Sequence, residues 1–159
     1  MASIQQTPDK GMTSTTHSFS AAASYSLTSR IKLFTWEIYD SEGLKLDTLQ
    51  GKEIKKQFKK PGNYTVKLTV EDEIGNKNLD TVNVYVESTP PVPQFTITPT
   101  SLREYPSEFT FNADSSSDVD VANGYDKLTY DWQFSNPNAV HITKTEKANK
   151  LITVLFNEV

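Results

Sequence analysis

The sequence predicts an all-β chain folded as two tandem β-sandwiches, the second stopping short of its last two strands. Three observations carry this expectation. Apolar and polar residues alternate at period two, no apolar stripe keeps helical spacing through three turns, and the strand-like segments recur in the same order.

The elements follow in chain order. Ser18-Phe19-Ser20-Ala21-Ala22 opens the first copy, and Phe34-Thr35-Trp36-Glu37-Ile38 alternates as a strand with one buried side. Tyr64, Val66, Leu68 and Val70 line one face of the next long strand, with Thr65, Lys67 and Thr69 on the other. Asp72 to Asn78 supplies turn residues, and Thr81-Val82-Asn83-Val84-Tyr85-Val86 returns as the second arm of a hairpin. Thr110-Phe111-Asn112-Ala113-Asp114 then matches the opening segment, and Leu128-Thr129-Tyr130-Asp131-Trp132-Gln133-Phe134 matches the tryptophan strand. Ile152 to Phe156 matches Ile54 to Phe58, the offset growing slowly as loops lengthen between conserved strand positions. These matches place a first domain at 1–87, a proline-rich semi-rigid joint at 88–93 and a second domain at 94–159.

The first copy continues past Phe58 into the hairpin, whereas Phe156 precedes only Asn157-Glu158-Val159. The second copy is therefore expected to be incomplete, to expose a strand edge, and to take up strands by exchange or edge pairing with another chain. Trp36 and Trp132, with Tyr64, Val66, Leu68, Val70 and Phe111, form the expected core. A buried indole removes roughly 200 Å² from water, about 5 kcal/mol of gross burial at ~25 cal/mol/Å². A central tryptophan of this kind plugs an immunoglobulin-like sandwich.

From Trp36 through the acidic turn Tyr39-Asp40-Ser41-Glu42-Gly43, and from Gly62-Asn63-Tyr64-Thr65-Val66-Lys67-Leu68-Thr69-Val70-Glu71-Asp72 to Gly75, the chain resembles the PKD (polycystic kidney disease) domain family. Phe111 to Asp120 and Leu128 to Phe134 resemble the start of a second repeat. The resemblance implies an immunoglobulin-like fold and a non-catalytic module. The usual Trp-x-Phe-Gly-Asp-Gly turn of the family is replaced by Glu37-Ile38-Tyr39-Asp40 and Gln133-Phe134-Ser135-Asn136.

Chemistry narrows the function further. A net charge of −4 argues against general nucleic-acid binding, which needs a basic footprint. Lys52, Lys55, Lys56, Lys59 and Lys60 read as a solvated strand face. With no cysteine, thiolate sites and disulfides are excluded, and no apolar run is long enough to insert in a membrane. His17 and His141 fall in different copies with no triad pattern beside them. The one ligand candidate is calcium at Asp114, Asp118 and Asp120, whose hard oxygens suit that ion, and some relatives resembling this chain bind it near here. The competing and favoured reading is a solvated loop in which Asp and Ser make local turn bonds.

The expected function is a non-catalytic extracellular or cell-surface spacer and adhesion module, a fragment without its signal peptide, touching protein or carbohydrate surfaces. The alternative is an accessory domain presenting substrate to a secreted hydrolase such as a protease, collagenase or chitinase.

Overall fold

A computed structural model describes residues 1–101 and 104–157. The chain divides into two compact units, Met1–Thr89 and Pro90–Val159.

In the first unit, β1 (Gln5–Thr7), β3 (Thr16–Ser20) and β6 (Glu53–Gln57) make a three-stranded sheet in the order β1-β3-β6. Facing it is a five-stranded sheet ordered β2-β8-β7-β4-β5. Its strands are β2 (Lys10–Met12), β4 (Ile31–Tyr39), β5 (Lys45–Gln50), β7 (Gly62–Asp72) and β8 (Lys77–Glu87). The N-terminal segment thus serves both sheets: β1 pairs antiparallel with β3, and β2 pairs parallel with β8.

Period two decides which residues go inside. Along β7, Tyr64, Val66, Leu68 and Val70 are buried, as the alternation requires, while the residues between them face outward. In the antiparallel register Trp36 stands opposite Leu68 and Ile38 opposite Val66, which places the indole at the centre of the core, fully buried. Phe19 of β3 meets it from the other sheet, the ring centroids 6.1 Å apart. Phe58 and Tyr64 close one end at 4.3 Å, and the Tyr64 hydroxyl donates to the Lys60 carbonyl at 2.6 Å.

Four ion pairs join outward-facing charges of the five-stranded sheet to one another. Glu37 lies 3.1 Å from Lys45 and 3.9 Å from Lys67, and Glu71 lies 2.9 Å from Lys32 and 3.2 Å from Lys77. From the lysine-rich stretch of β6, Lys56 reaches Asp47 at 2.7 Å.

The second unit holds β9 (Thr96–Thr98), β10 (Ser107–Asn112), β11 (Val140–Glu146) and β12 (Leu151–Phe156) in one antiparallel sheet ordered β11-β12-β10-β9. β9, β10 and β12 stand for β1, β3 and β6. Local contacts repeat as well: Ala21 N–H donates to the Lys52 carbonyl and Ala113 N–H to the Lys150 carbonyl, each at 2.9 Å.

Two expectations are corrected. Residues 128–134, read as a strand, join no ladder among the described residues. The reason lies in the partners: β4 is held by β7 on one side and β5 on the other. In the second unit β11 pairs with β12 instead, and no described strand takes the place of β7. Secondly, the Asp-rich loop contains one helical turn, α1 (Val119–Ala122), too short for periodicity to reveal. The Thr89 hydroxyl lies 2.8 Å from that of Thr13, and Val92 exchanges two backbone hydrogen bonds with Ser117.

Candidate interaction cleft

The floor of the second unit comes from alternation on its two central strands. Phe109 and Phe111 of β10 and Ile152, Val154 and Phe156 of β12 turn to one side of the sheet, with Ile152 and Val154 fully buried. Residues 128–134 lie over this floor. Leu128, Tyr130, Trp132 and Phe134 are half-buried, and Thr129, Asp131 and Gln133 are exposed, so the segment keeps strand-like alternation although its backbone is unpaired in any ladder.

Edge-to-face aromatic packing holds the segment down. Phe111 meets Trp132 at 5.6 Å and Phe134 at 5.5 Å, and Phe134 meets Phe156 at 5.9 Å. Trp132 donates its indole N–H to the Asn149 carbonyl at 2.6 Å. That carbonyl belongs to the tight turn between β11 and β12, where Lys147, Ala148 and Asn149 have φ of 51°, 53° and 68°. Side chains other than glycine rarely adopt this left-handed region, and asparagine tolerates it best.

Between the segment and the entry to β9 opens a cavity of about 550 Å³. Phe95, Phe111, Trp132, Phe134 and Phe156 line it, with Gln94, Ser116 and Gln133 among the polar lining. Phe95, 57 % exposed, stands 5.5 Å from Trp132 at 86° and forms an open wall. Phe95 and Phe156 were not singled out from the sequence as cleft residues. The available signal was the apolar alternation of Phe95 with Ile97 and of Val154 with Phe156.

Asp114, Asp118 and Asp120 serve different purposes. Asp114 pairs with Lys147 and Lys150, each at 3.2 Å, and the Lys150 and Lys147 ammonium groups hold its carboxyl below the usual range. Asp118 caps α1, accepting from the backbone N–H of Asp120 at 2.6 Å and of Val121 at 3.4 Å. Asp120 is buried. Among the described residues no three acidic, histidine or cysteine side chains gather as a metal site.

The histidines remain apart. His17 is fully buried between Phe19 and Phe58, its Nδ1 3.1 Å from the Pro8 carbonyl, and His141 is exposed on β11. Tyr25, Tyr85, Tyr105 and Tyr125 are exposed.

The family model described as "PKD domain" matches residues 2–86, which takes in the first sandwich's strands up to the last residue but one of β8. The chain belongs to the PKD domain family. Among solved structures, the PKD1 domain of Vibrio anguillarum Epp is 22% identical, with a TM-score of 0.44 over 55% of this chain and 92% of that one. A structure described as carbohydrate-binding modules from the β-sandwich superfamily is 19% identical, with a TM-score of 0.47 over 70% of this chain and 53% of that one, so the comparison reaches about half of its length. A comparison with curated proteins finds no match. The PKD match covers the unit with the closed core. The aromatic cleft lies in the other unit, whose β9, β10 and β12 repeat the order of β1, β3 and β6. No described helix is long and apolar enough to cross a membrane.

Proposed function

We propose that this chain is a non-catalytic spacer and contact module of a secreted or cell-surface protein, meeting protein or carbohydrate surfaces through its second unit. The observation that supports this reading is the contrast between the units. The first closes two sheets over a fully buried Trp36 and pairs outward charges of its five-stranded sheet with one another, which suits a spacer. The second lines an open cleft with aromatic rings, Phe95 most exposed, beside a segment that joins no ladder among the described residues, which suits contact. A catalytic role would require a reactive group at an open site with an activating partner, whereas His17 is enclosed and held by Pro8 and the exposed His141 lies in the other unit.

Passing the full chain over insoluble chitin, cellulose and collagen, and over immobilised extracellular proteins, tests the reading. Retention on protein supports the adhesion role. Retention on a polymer favours the substrate-presenting role beside a hydrolase. In either case Phe95→Ala should weaken retention, because this exposed ring can be removed without opening the core. Turnover of any of these materials would refute the non-catalytic assignment.

A further inference from the structure

We propose that the outer face of the three-stranded sheet in the first unit is a binding site apart from the aromatic cleft. It is a trough along β3 that takes a single extended chain of an acidic polysaccharide.

Period two builds the trough. Phe19 of β3 and Ile54 of β6 turn into the core, so the residues on either side of them turn outward. The register sets these in rows, Gln5 beside Ser20 beside Glu53, and Thr7 beside Ser18 beside Lys55. The middle strand contributes two short, half-buried hydroxyls, and the flanking strands contribute bulkier, exposed side chains. A hollow of about 520 Å³ results, with a serine floor between taller walls. Neighbouring strands lie about 4.8 Å apart, so β1 and β6 stand about 10 Å from each other. That width admits one chain of sugar rings and turns away an α-helix, about 10–12 Å across with its side chains.

The side chains on this face decide the class of ligand. Hydroxyl, amide, carboxylate and ammonium groups point outward from these rows, with no aromatic or aliphatic side chain among them. Protein interfaces draw on aromatic and apolar anchors, and single-stranded nucleic acid on stacking rings. A polyhydroxylated chain needs only hydrogen-bond partners, and here they are uncommitted. Among the described residues the side chains of Gln5, Thr7, Ser18 and Lys55 make no hydrogen bond or ion pair, and the Ser20 hydroxyl reaches Glu53 only at 3.4 Å.

Charge sets the sign of the ligand. On the five-stranded sheet Lys32, Lys45, Lys67 and Lys77 are each paired with a glutamate, and Lys56 is paired with Asp47. Lys52, Lys55 and Lys59, on β6 and the bends beside it, join no ion pair among the described residues, and Glu53 is the one carboxylate in the rows. A local positive excess in a chain of net charge −4 complements carboxylates spaced along a glycan. Lys55 meets one such carboxylate at the wall, while sugar hydroxyls meet Gln5, Ser18 and Ser20 along the floor.

Affinity electrophoresis of the full chain tests this, in gels holding polygalacturonate, alginate or hyaluronan. A further gel holds fully methyl-esterified polygalacturonate, which has the same backbone without the charge. Retardation by at least one acidic glycan and none by the ester is expected. Lys55→Gln should weaken it about tenfold through loss of a charge-assisted hydrogen bond. Ser18→Val, which raises the floor, should abolish it. Lys55 is exposed and valine suits a strand, so both variants should keep the far-ultraviolet dichroism of the parent. Lys77→Gln and Phe95→Ala should leave retardation unchanged. No retardation by any of the three acidic glycans would overturn the proposal, as would equal retardation by the ester or by single-stranded DNA. Retardation lost in Phe95→Ala and kept in Lys55→Gln would place the glycan in the cleft and overturn it too.

Discussion

The indole nitrogen of Trp36 donates to the carbonyl oxygen of Gly51 at 2.8 Å, tying β4 to the turn that opens β6 in the opposite sheet. One side chain therefore fills the core and joins its two layers. Trp36→Ala should destabilise the first unit by about 3–5 kcal/mol. Trp36→Phe should cost less, keeping most of the apolar contact but leaving the Gly51 carbonyl without its donor, about 1–3 kcal/mol. Urea denaturation followed by far-ultraviolet dichroism checks both. Trp132→Ala should cost less than Trp36→Ala, because Trp132 is only half-buried.

Asp72 should make the first unit acid-sensitive. Burial pushes its carboxyl up, but hydrogen bonds from the Asn76 side chain and backbone and from the Ser26 and Thr28 hydroxyls outweigh this and hold it well below the usual carboxylate range. The folded chain binds this proton more weakly than the unfolded chain does. The stabilisation is therefore present above about pH 4 and is lost as pH falls further. Asp72→Asn should lower the urea midpoint at pH 7 and flatten its fall between pH 4 and pH 2. An unchanged acid slope in this variant would contradict the assignment.

Gly11→Ala should loosen β2 from the edge of β8. An added Cβ would lie 2.7 Å from Nε2 of His17 and 2.8 Å from Cβ of Thr15, both closer than real contacts allow. Relieving that crowding should cost about 1–3 kcal/mol. A lower melting temperature, with faster amide exchange confined to 10–17, is the expected signature.

Calcium should leave the melting temperature unchanged at millimolar concentration. Asp114 is engaged by two lysines and Asp118 by the first turn of α1, so binding would first have to break those contacts. A calcium-dependent rise in melting temperature, lost in Asp118→Ala, would reverse this expectation.

Amide exchange should separate two segments that look alike in sequence. Amides of Tyr64 to Val70 lie within a ladder paired on both sides and should exchange slowly. Those of 128–134, which join no ladder among the described residues, should exchange far faster in the chain alone.

That contrast also marks how far the sequence can be read. The inward set Tyr64, Val66, Leu68 and Val70 was legible because period two reports which side of a strand is buried. The same signal predicted the inward tilt of Tyr130, Trp132 and Phe134, but it carries no information on whether a neighbour exists to complete the ladder. Asp118 was ambiguous for a different reason. A carboxylate beside serines suits a cation or a helix cap equally, and only the coordinates show its oxygen facing the N–H groups of Asp120 and Val121. The cleft wall escaped notice because Phe95 and Phe156 meet Trp132 and Phe134 only after the chain has folded back across the sheet.

The parallel pairing of β2 with β8 has a mechanical consequence. Tension applied between the two strands, drawing Lys10 one way and Glu87 the other, loads their hydrogen bonds side by side rather than one after another. They must rupture together, with the neighbouring bond from Thr13 to Glu87 sharing the load. The first sandwich is thus braced against stretching along the direction in which a chain would be pulled through it.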